Sequence, residues 1–473
     1  MKIRNPRTGE EDHTITPLRE QALANLAAAM RAAQPGWVAR SVEERGAILL
    51  RLGEAITRHA GPIIDALTTD TGRAAISRIE VEGTPRLIER WARSAPGIMA
   101  AASVTGRATV IPGISTSTRL VPYALVGVIS PWNFPMTLAL IDAIPALMAG
   151  AAALIKPSEV TPRFIRPLMA AIADVPELEN ILTVIEGDGP TGAALVPLVD
   201  YVAFTGSVPT GRKVGEAAAA AFIPASLELG GKDPMIVLAS ADPDWAAGVA
   251  LRASIVNTGQ ACQSIERVYV AQEIAAPFVD ALVERAKAVR LNHPEIHSGD
   301  IGPFIFARQA EIVQAQIDDA CAQGARLLAG GTVETLGGGL YLRPTVLADV
   351  TPDMKLMHEE TFGPVIPVTL FDSVEEAIAL ANSGDYGLSG AVLAGSVEEA
   401  EAVGAQLCVG AVSINDGSLT GMVWEAEKSS FGLSGLGASR MGDSGLMRFF
   451  RRQALIRQSG MALPLAAYAE DQV

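Results

Sequence analysis

A cysteine that follows glycine and polar residues is expected to be partly exposed, and a partly exposed thiol can serve as a nucleophile. Cys262 closes the stretch Asn257-Thr258-Gly259-Gln260-Ala261-Cys262, with Arg267 five residues further on, and is the candidate nucleophile. Cys321, in the helical pattern of 317–325, and Cys408, between Leu407 and Val409, read as packing. Glu228 supplies a carboxylate within Leu227-Glu228-Leu229-Gly230-Gly231-Lys232. Three further islands carry polar residues: Ser130-Pro131-Trp132-Asn133-Phe134-Pro135, Lys156-Pro157-Ser158-Glu159, and Phe204-Thr205-Gly206-Ser207 followed by Gly211. A glycine and a hydroxyl at a helix start suit a phosphate, because free backbone N–H groups point there. The same pair also serves as a simple helix cap, so it does not name a phosphate alone. The Gly-x-Gly-x-x-Gly fingerprint is absent, and Gly230-Gly231-Lys232-Asp233 lacks P-loop spacing. No Gly-x-Ser-x-Gly elbow is present, which weakens a serine hydrolase. Of the five histidines only His293 and His297 are close, around Pro294, so no metal site is expected.

These islands fall at the ends of expected strands. Residues 17–100 read as helical, with a capping box at Ser41-Val42-Glu43-Glu44 opening a helix over 45–59. From Leu125 the pattern alternates: strand 125–129, helix 136–149, strand 151–156, helix 161–173, strand 181–185, helix 191–197, strand 201–204, helix 210–221, then strands 226–229 and 235–238. A second alternating series runs from Trp245 to about Ile414, with a helix over 307–323 and strands near 327, 366, 391 and 411. Strands and helices in this rhythm predict an α/β protein with two doubly wound parallel sheets. In such sheets ligands sit beyond the carboxyl ends of the strands, where the islands lie. The apolar stretch 136–155 is long enough for a membrane span, but Asp142, Pro145 and Gly150 interrupt it, so a buried helix and strand are expected.

Composition narrows the classes. The chain has 473 residues, 49% hydrophobic and 19% charged, which excludes a largely disordered protein. A formal net charge of −15 argues against coating nucleic acid or an anionic membrane. Three cysteines cannot build a disulfide framework, so a reducing, cytoplasmic setting is expected.

Taken in order, the islands resemble the aldehyde dehydrogenase superfamily, across nearly the whole chain. The resemblance rests on Pro131-Trp132-Asn133-Phe134-Pro135, Lys156-Pro157-Ser158-Glu159, Phe204-Thr205-Gly206-Ser207, Glu228-Leu229-Gly230-Gly231-Lys232, Gly259-Gln260-Ala261-Cys262 with Arg267, Glu359-Glu360-Thr361-Phe362-Gly363-Pro364, and Ile414-Asn415. It implies oxidation of an aldehyde to a carboxylic acid with NAD(P), through a Cys262 thiohemiacetal and a thioester that is hydrolysed. Cys262 would be the nucleophile, the Asn133 amide and the Cys262 N–H the oxyanion donors, and Glu228 the base. Lys156 and Glu159 would hold the adenosine ribose, with Gly206, Ser207 and Gly211 at the pyrophosphate. Glu360 would hold the nicotinamide ribose, with Phe362 near the ring and Trp132 in the same cofactor region. Glu159 favours NAD, and Lys156 leaves room for NADP. The alternatives are an acylating, coenzyme A-dependent relative, disfavoured by Glu228, and a non-catalytic protein of the same fold, disfavoured by intact Cys262, Glu228 and Asn133.

Two departures from the family pattern stand out. Asp142 replaces a common lysine, and Phe431-Gly432-Leu433-Ser434-Gly435-Leu436-Gly437-Ala438-Ser439-Arg440 is shorter than usual and lacks a glutamate. Asp142 and Arg440 are expected to form a reversed ion pair. Residues 416–430, with Met422, Val423 and Trp424, should line the substrate entrance and hint at an apolar or aromatic aldehyde. The expected division is a dinucleotide-binding domain over 1–103 and 123–230, a catalytic domain over 231–445, and an oligomerisation arm and loose tail over 104–122 and 446–473. The arm, turning at Pro112-Gly113, is expected to pair with 449–458 across subunits of a homodimer or homotetramer.

Overall fold

Residues 1–470 are described in the computed structural model. Strands Leu125–Ile129, Ala152–Lys156 and Tyr201–Thr205 are buried along their whole length, as apolar runs between two helical layers must be. With Leu182–Val184 and Ala225–Glu228 they form a parallel set. The order across the sheet is Gly435–Leu436, Ala225–Glu228, Tyr201–Thr205, Leu125–Ile129, Ala152–Lys156, Leu182–Val184. The chain winds outward from Leu125–Ile129 in one direction and returns on its other side at Tyr201–Thr205. That reversal opens a crevice between Ser130-Pro131-Trp132 and Gly206-Ser207.

The apolar stretch at 136–155 divides as expected, into the helix Pro135–Ala149 and the strand Ala152–Lys156. Gly150, at φ +104°, closes the helix in the left-handed region. Among the described residues no helix is long and apolar enough to cross a membrane. The capping box is formed: the Ser41 side chain accepts from the Glu44 N–H, and Glu44 accepts from the Ser41 N–H, opening the helix Val42–Arg58. The helix expected over 161–173 begins only at Ile165. Its would-be first turn is engaged elsewhere: the Arg163 N–H donates to Asp70 (2.7 Å) and the Thr161 hydroxyl to the Trp132 carbonyl (3.3 Å). The helix expected over 191–197 starts earlier, at Gly189, because Asp188 caps it through the Thr191 N–H (3.1 Å).

The second sheet runs Arg326–Ala329, Thr345–Ala348, Val365–Phe371, Ile265–Ala271, Asp233–Val237, Ser389–Leu393, Ala411–Ile414. All neighbours are parallel except the edge strand Arg326–Ala329. Gly435–Leu436 crosses back to pair antiparallel with Glu228 and Leu227 of the first sheet. This crossing carries Arg440 toward the carboxyl ends of that sheet.

Two expectations are corrected. Phe450–Gln458 pairs with Ile114–Pro122 of the same chain, through nine consecutive residue pairs, not across subunits. The chain returns to its own arm because Phe449, just before the strand, is buried against Tyr201 in the core. Cys321 and Cys408 are exposed rather than packed. On the helix Ala307–Ala322 the inward face is Val313, Ile317 and Ala320, which turns Cys321 outward. Cys408 follows buried Leu407 at a turn held by its own N–H, which donates to the Asn382 side chain (2.7 Å). The expected tail reaches past residue 470, so its last residues lie outside those described.

Candidate active site

Cys262 ends a loop whose backbone few residues adopt. Asn257, Thr258 and Gly259 all lie at positive φ (55°, 60° and 70°). A Cβ on Gly259 would sit 2.3 Å from the Gly363 backbone, so glycine is required there on both counts. Side chains hold the loop. The Asn257 amide donates to the carbonyls of Asn133 (3.0 Å) and Gln260 (3.1 Å), and the Ile305 N–H donates to the Gln260 side chain (2.9 Å). The Asn133 amide gives one hydrogen to the Gln260 carbonyl (3.0 Å), two residues before Cys262, leaving its second hydrogen unspent. Cys262 is half-buried. Burial pushes its thiol up to about 12, with Lys428 and Arg440 pulling down and Glu360 and Asp233 pushing further up.

The two glycines after Glu228 explain how a strand end reaches this loop. A Cβ on Gly231 would meet the Cys262 carbonyl at 2.7 Å, and one on Gly230 would meet the Glu360 carboxylate at 2.3 Å. The backbones of the two motifs thus touch where only glycine permits it. The Glu228 carboxylate has Ser430 at 3.5 Å on one oxygen and Arg440 Nε at 3.8 Å from the other.

On the other side of the site, Lys156 is buried and its ammonium meets Glu159 at 3.2 Å. Ser207 precedes the helix Val208–Ala220 without capping it, and its hydroxyl donates to Thr210 (3.2 Å), so the backbone N–H groups there stay open. Gly206 and Gly211 have a packing reason too: a Cβ would strike the Phe204 ring (2.6 Å) or Leu229 (2.4 Å). Trp132 packs edge-on against Phe362, with ring centroids 5.3 Å apart. Phe362 itself sits at φ +53°. Glu360 accepts from the Gly231 N–H (3.2 Å), and burial together with Glu266 pushes its carboxyl upward. Among the described residues no three His, Cys, Asp or Glu side chains are grouped to hold a metal.

The reversed pair is present. Asp142 is fully buried and accepts from Arg440 Nη2 at 3.0 Å and from Arg448. Burial alone would raise its carboxyl, but the two guanidinium groups outweigh that and hold it below its ordinary value. Arg440 also donates to Thr205, the register partner of Glu228 on the adjacent strand.

Three residues escape a motif-based reading. Glu266 accepts the N–H groups of Thr361 (2.8 Å) and Phe362 (2.7 Å) and pairs with Lys232 (2.7 Å), so it pins the loop presenting Glu360 and Phe362. Buried Glu80, from the helix Ala74–Ala102, accepts the Met136 and Thr137 N–H groups (3.1 and 2.9 Å) and caps the helix that follows Asn133. Lys428 lies between Thr420 and Ser439 in the unusual segment over 416–430. A glutamate or lysine with no companion motif carries no local signal; only the fold shows what it meets.

At the strand ends of the doubly wound sheets, the Asn133 amide is tied to the Cys262 loop through the Gln260 carbonyl, and the turn after Glu228 meets the Cys262 carbonyl. Residues 1–455 match the model of the aldehyde dehydrogenase family, and the chain belongs to that family. It is 37% identical over 452 residues to the "Putative succinate-semialdehyde dehydrogenase" (NADP+) of Mycolicibacterium smegmatis, covering 95% of this chain and 87% of that protein. Among solved structures, the "Putative Aldehyde Dehydrogenase PutA" of Anabaena variabilis superposes with a TM-score of 0.95 at 48% identity, over 98% of each chain. The betaine aldehyde dehydrogenase of Staphylococcus aureus in complex with NAD+ superposes with a TM-score of 0.90 at 28% identity, over 98% of this chain and 92% of that one. The protein is an NAD(P)-dependent aldehyde dehydrogenase.

Proposed function

We propose that Cys262 attacks the aldehyde carbon and that the resulting acyl thioester is released by water rather than by coenzyme A. What supports this reading is the close approach of Gly231, three residues after Glu228, to the Cys262 carbonyl, which brings the two motifs together. The free hydrogen of the Asn133 amide and the Cys262 N–H would receive the oxyanion. A bound nicotinamide cofactor supplies the hydride acceptor. Glu228 would then take a proton from the attacking water, a role that its loose 3.5 and 3.8 Å contacts leave it free to play.

The residues present fit the cofactor. Lys156 and Glu159 would take the adenosine ribose, and the open N–H groups after Gly206 and Ser207 the pyrophosphate, with Gly211 letting the helix approach. Glu360 would take the nicotinamide ribose, with Trp132 and Phe362 walling the ring. Because Glu159 already neutralises Lys156, a 2′-phosphate would meet a carboxylate without a free cation to offset it. The expected result across aliphatic, aromatic, semialdehyde and amino-aldehyde substrates is nicotinamide reduction without coenzyme A. NAD should be favoured over NADP in kcat/KM by about tenfold, or ~1.4 kcal/mol. A requirement for coenzyme A, or a preference for NADP, overturns the corresponding part.

The two sheets and the paired arm support the division into cofactor domain, catalytic domain and arm. The outer edge of Phe450–Gln458 is exposed along its length after Phe450, and exposed strand edges recruit partners. A second copy of the chain on this edge, in a homodimer or homotetramer, is the assembly expected. A light-scattering mass equal to one chain would remove it.

A further inference from the structure

The segment over 416–430 ties one cation to the loop that carries Cys262. Lys428 is half-buried, and its ammonium donates to the Thr420 carbonyl at 3.3 Å. The Thr420 hydroxyl in turn donates to the side chain of Gln263, the residue after Cys262, at 3.0 Å. On the other side, the Lys428 N–H donates to Ser439 at 3.4 Å, next to Arg440, and Ser430 reaches Glu228. The segment is therefore strapped to both walls of the site. The ammonium spends one of its three hydrogens on Thr420, and no carboxylate lies within ion-pair distance among the described residues. A cation held this way, without its own anion, is free to act on whatever charge develops beside it.

We propose that Lys428 is the charge partner of Cys262: its ammonium stabilises the thiolate formed when the Sγ–H bond breaks and the proton passes to solvent. The inference rests on Cys262 being the nucleophile. Lys428 acts through Cys262 and is a positioning residue for its charge. Four groups bear on the thiol: Lys428 and Arg440 favour the thiolate, while Glu360 and Asp233 oppose it. Lys428 is met by Cys262, Glu228 and Asp233, which favour its charged form, and by Arg440, which opposes it, with burial lowering it most. Arg440 is held in place by Asp142 and Thr205, whereas Lys428 forms no ion pair among the described residues.

The test is the pH dependence of iodoacetamide alkylation at Cys262, followed by peptide mass because Cys321 and Cys408 are exposed and react too. In the full-length protein, Lys428→Gln and Lys428→Met should each slow Cys262 alkylation at pH 8 by about tenfold, since one unit of thiol pKa is a factor of ten in thiolate. Lys428→Arg should restore the rate to within about threefold, because the charge is kept. Wild-type rates in both neutral variants overturn the proposal. So does an arginine variant as slow as the neutral ones, which would assign Lys428 to holding the strap. The readout needs no turnover, so an error in the nucleophile assignment shows separately, as activity surviving in Cys262→Ala.

Discussion

Cys262→Ala loses aldehyde-dependent nicotinamide reduction by at least about four orders of magnitude, because the proposed thiohemiacetal and thioester both need the Cys262 thiol. Glu228→Gln behaves differently. It yields a burst of reduced nicotinamide close to one per active site, then turns over about a hundredfold or more below the parent rate. The substituted amide would keep the shape and the contact with Ser430 but could not take a proton from water. Rapid-mixing absorbance of the reduced nicotinamide separates the two outcomes. A Cys262→Ala enzyme that still reduces nicotinamide removes the nucleophile assignment. A Glu228→Gln enzyme with unchanged steady-state turnover removes the base assignment while leaving the nucleophile in place.

Asp142→Asn should destabilise the fold by about 3–5 kcal/mol, the cost of breaking a buried ion pair from one side. The substitution leaves Arg440 and Arg448, both nearly inaccessible, facing each other across an amide that cancels neither charge. Its effect also has a pH signature. The Asp142 carboxyl is held below its ordinary value of 3.8. Its stabilisation is thus complete above that value and is lost as pH falls through the lowered folded value. The parent should therefore lose the Asp142 contribution only at strongly acidic pH, while the asparagine variant starts without it. Denaturant midpoints from about pH 8 down to about pH 2 read both effects. An Asp142→Asn protein as stable as the parent at neutral pH would show that the triad contributes nothing net.

The layout of strands and helices was legible because alternation of apolar strands with amphipathic helices is a local signal. So were the positions of the motifs: Asn133, Glu228 and Cys262 each stand at a strand end or loop with glycine or proline within three residues. Even the reversed Asp142–Arg440 pair could be read, because both departures stood in one chain. What could not be read was anything decided by long-range packing. Whether 450–458 pairs with its own arm or with another copy depends on where Phe449 is buried, which no local pattern states. Cys321 looks apolar in composition, yet the rotation of its helix turns it to solvent. Arg448, Glu266 and Lys428 act across gaps of 306, 95 and 8 residues to their partners Asp142, Thr361 and Thr420. Only the last is local, and it lies in a segment without regular pattern.

The Asp142 triad has a consequence for proton traffic. A guanidinium keeps its charge across the whole working range of an enzyme and cannot hand a proton onward. Behind Glu228, among the described residues, stand two guanidinium cations around one carboxylate. On the proposed reading, a proton that Glu228 takes from water is not handed on through these arginines. The inner wall of this site thus acts as a charge clamp, with neither arginine a path for protons.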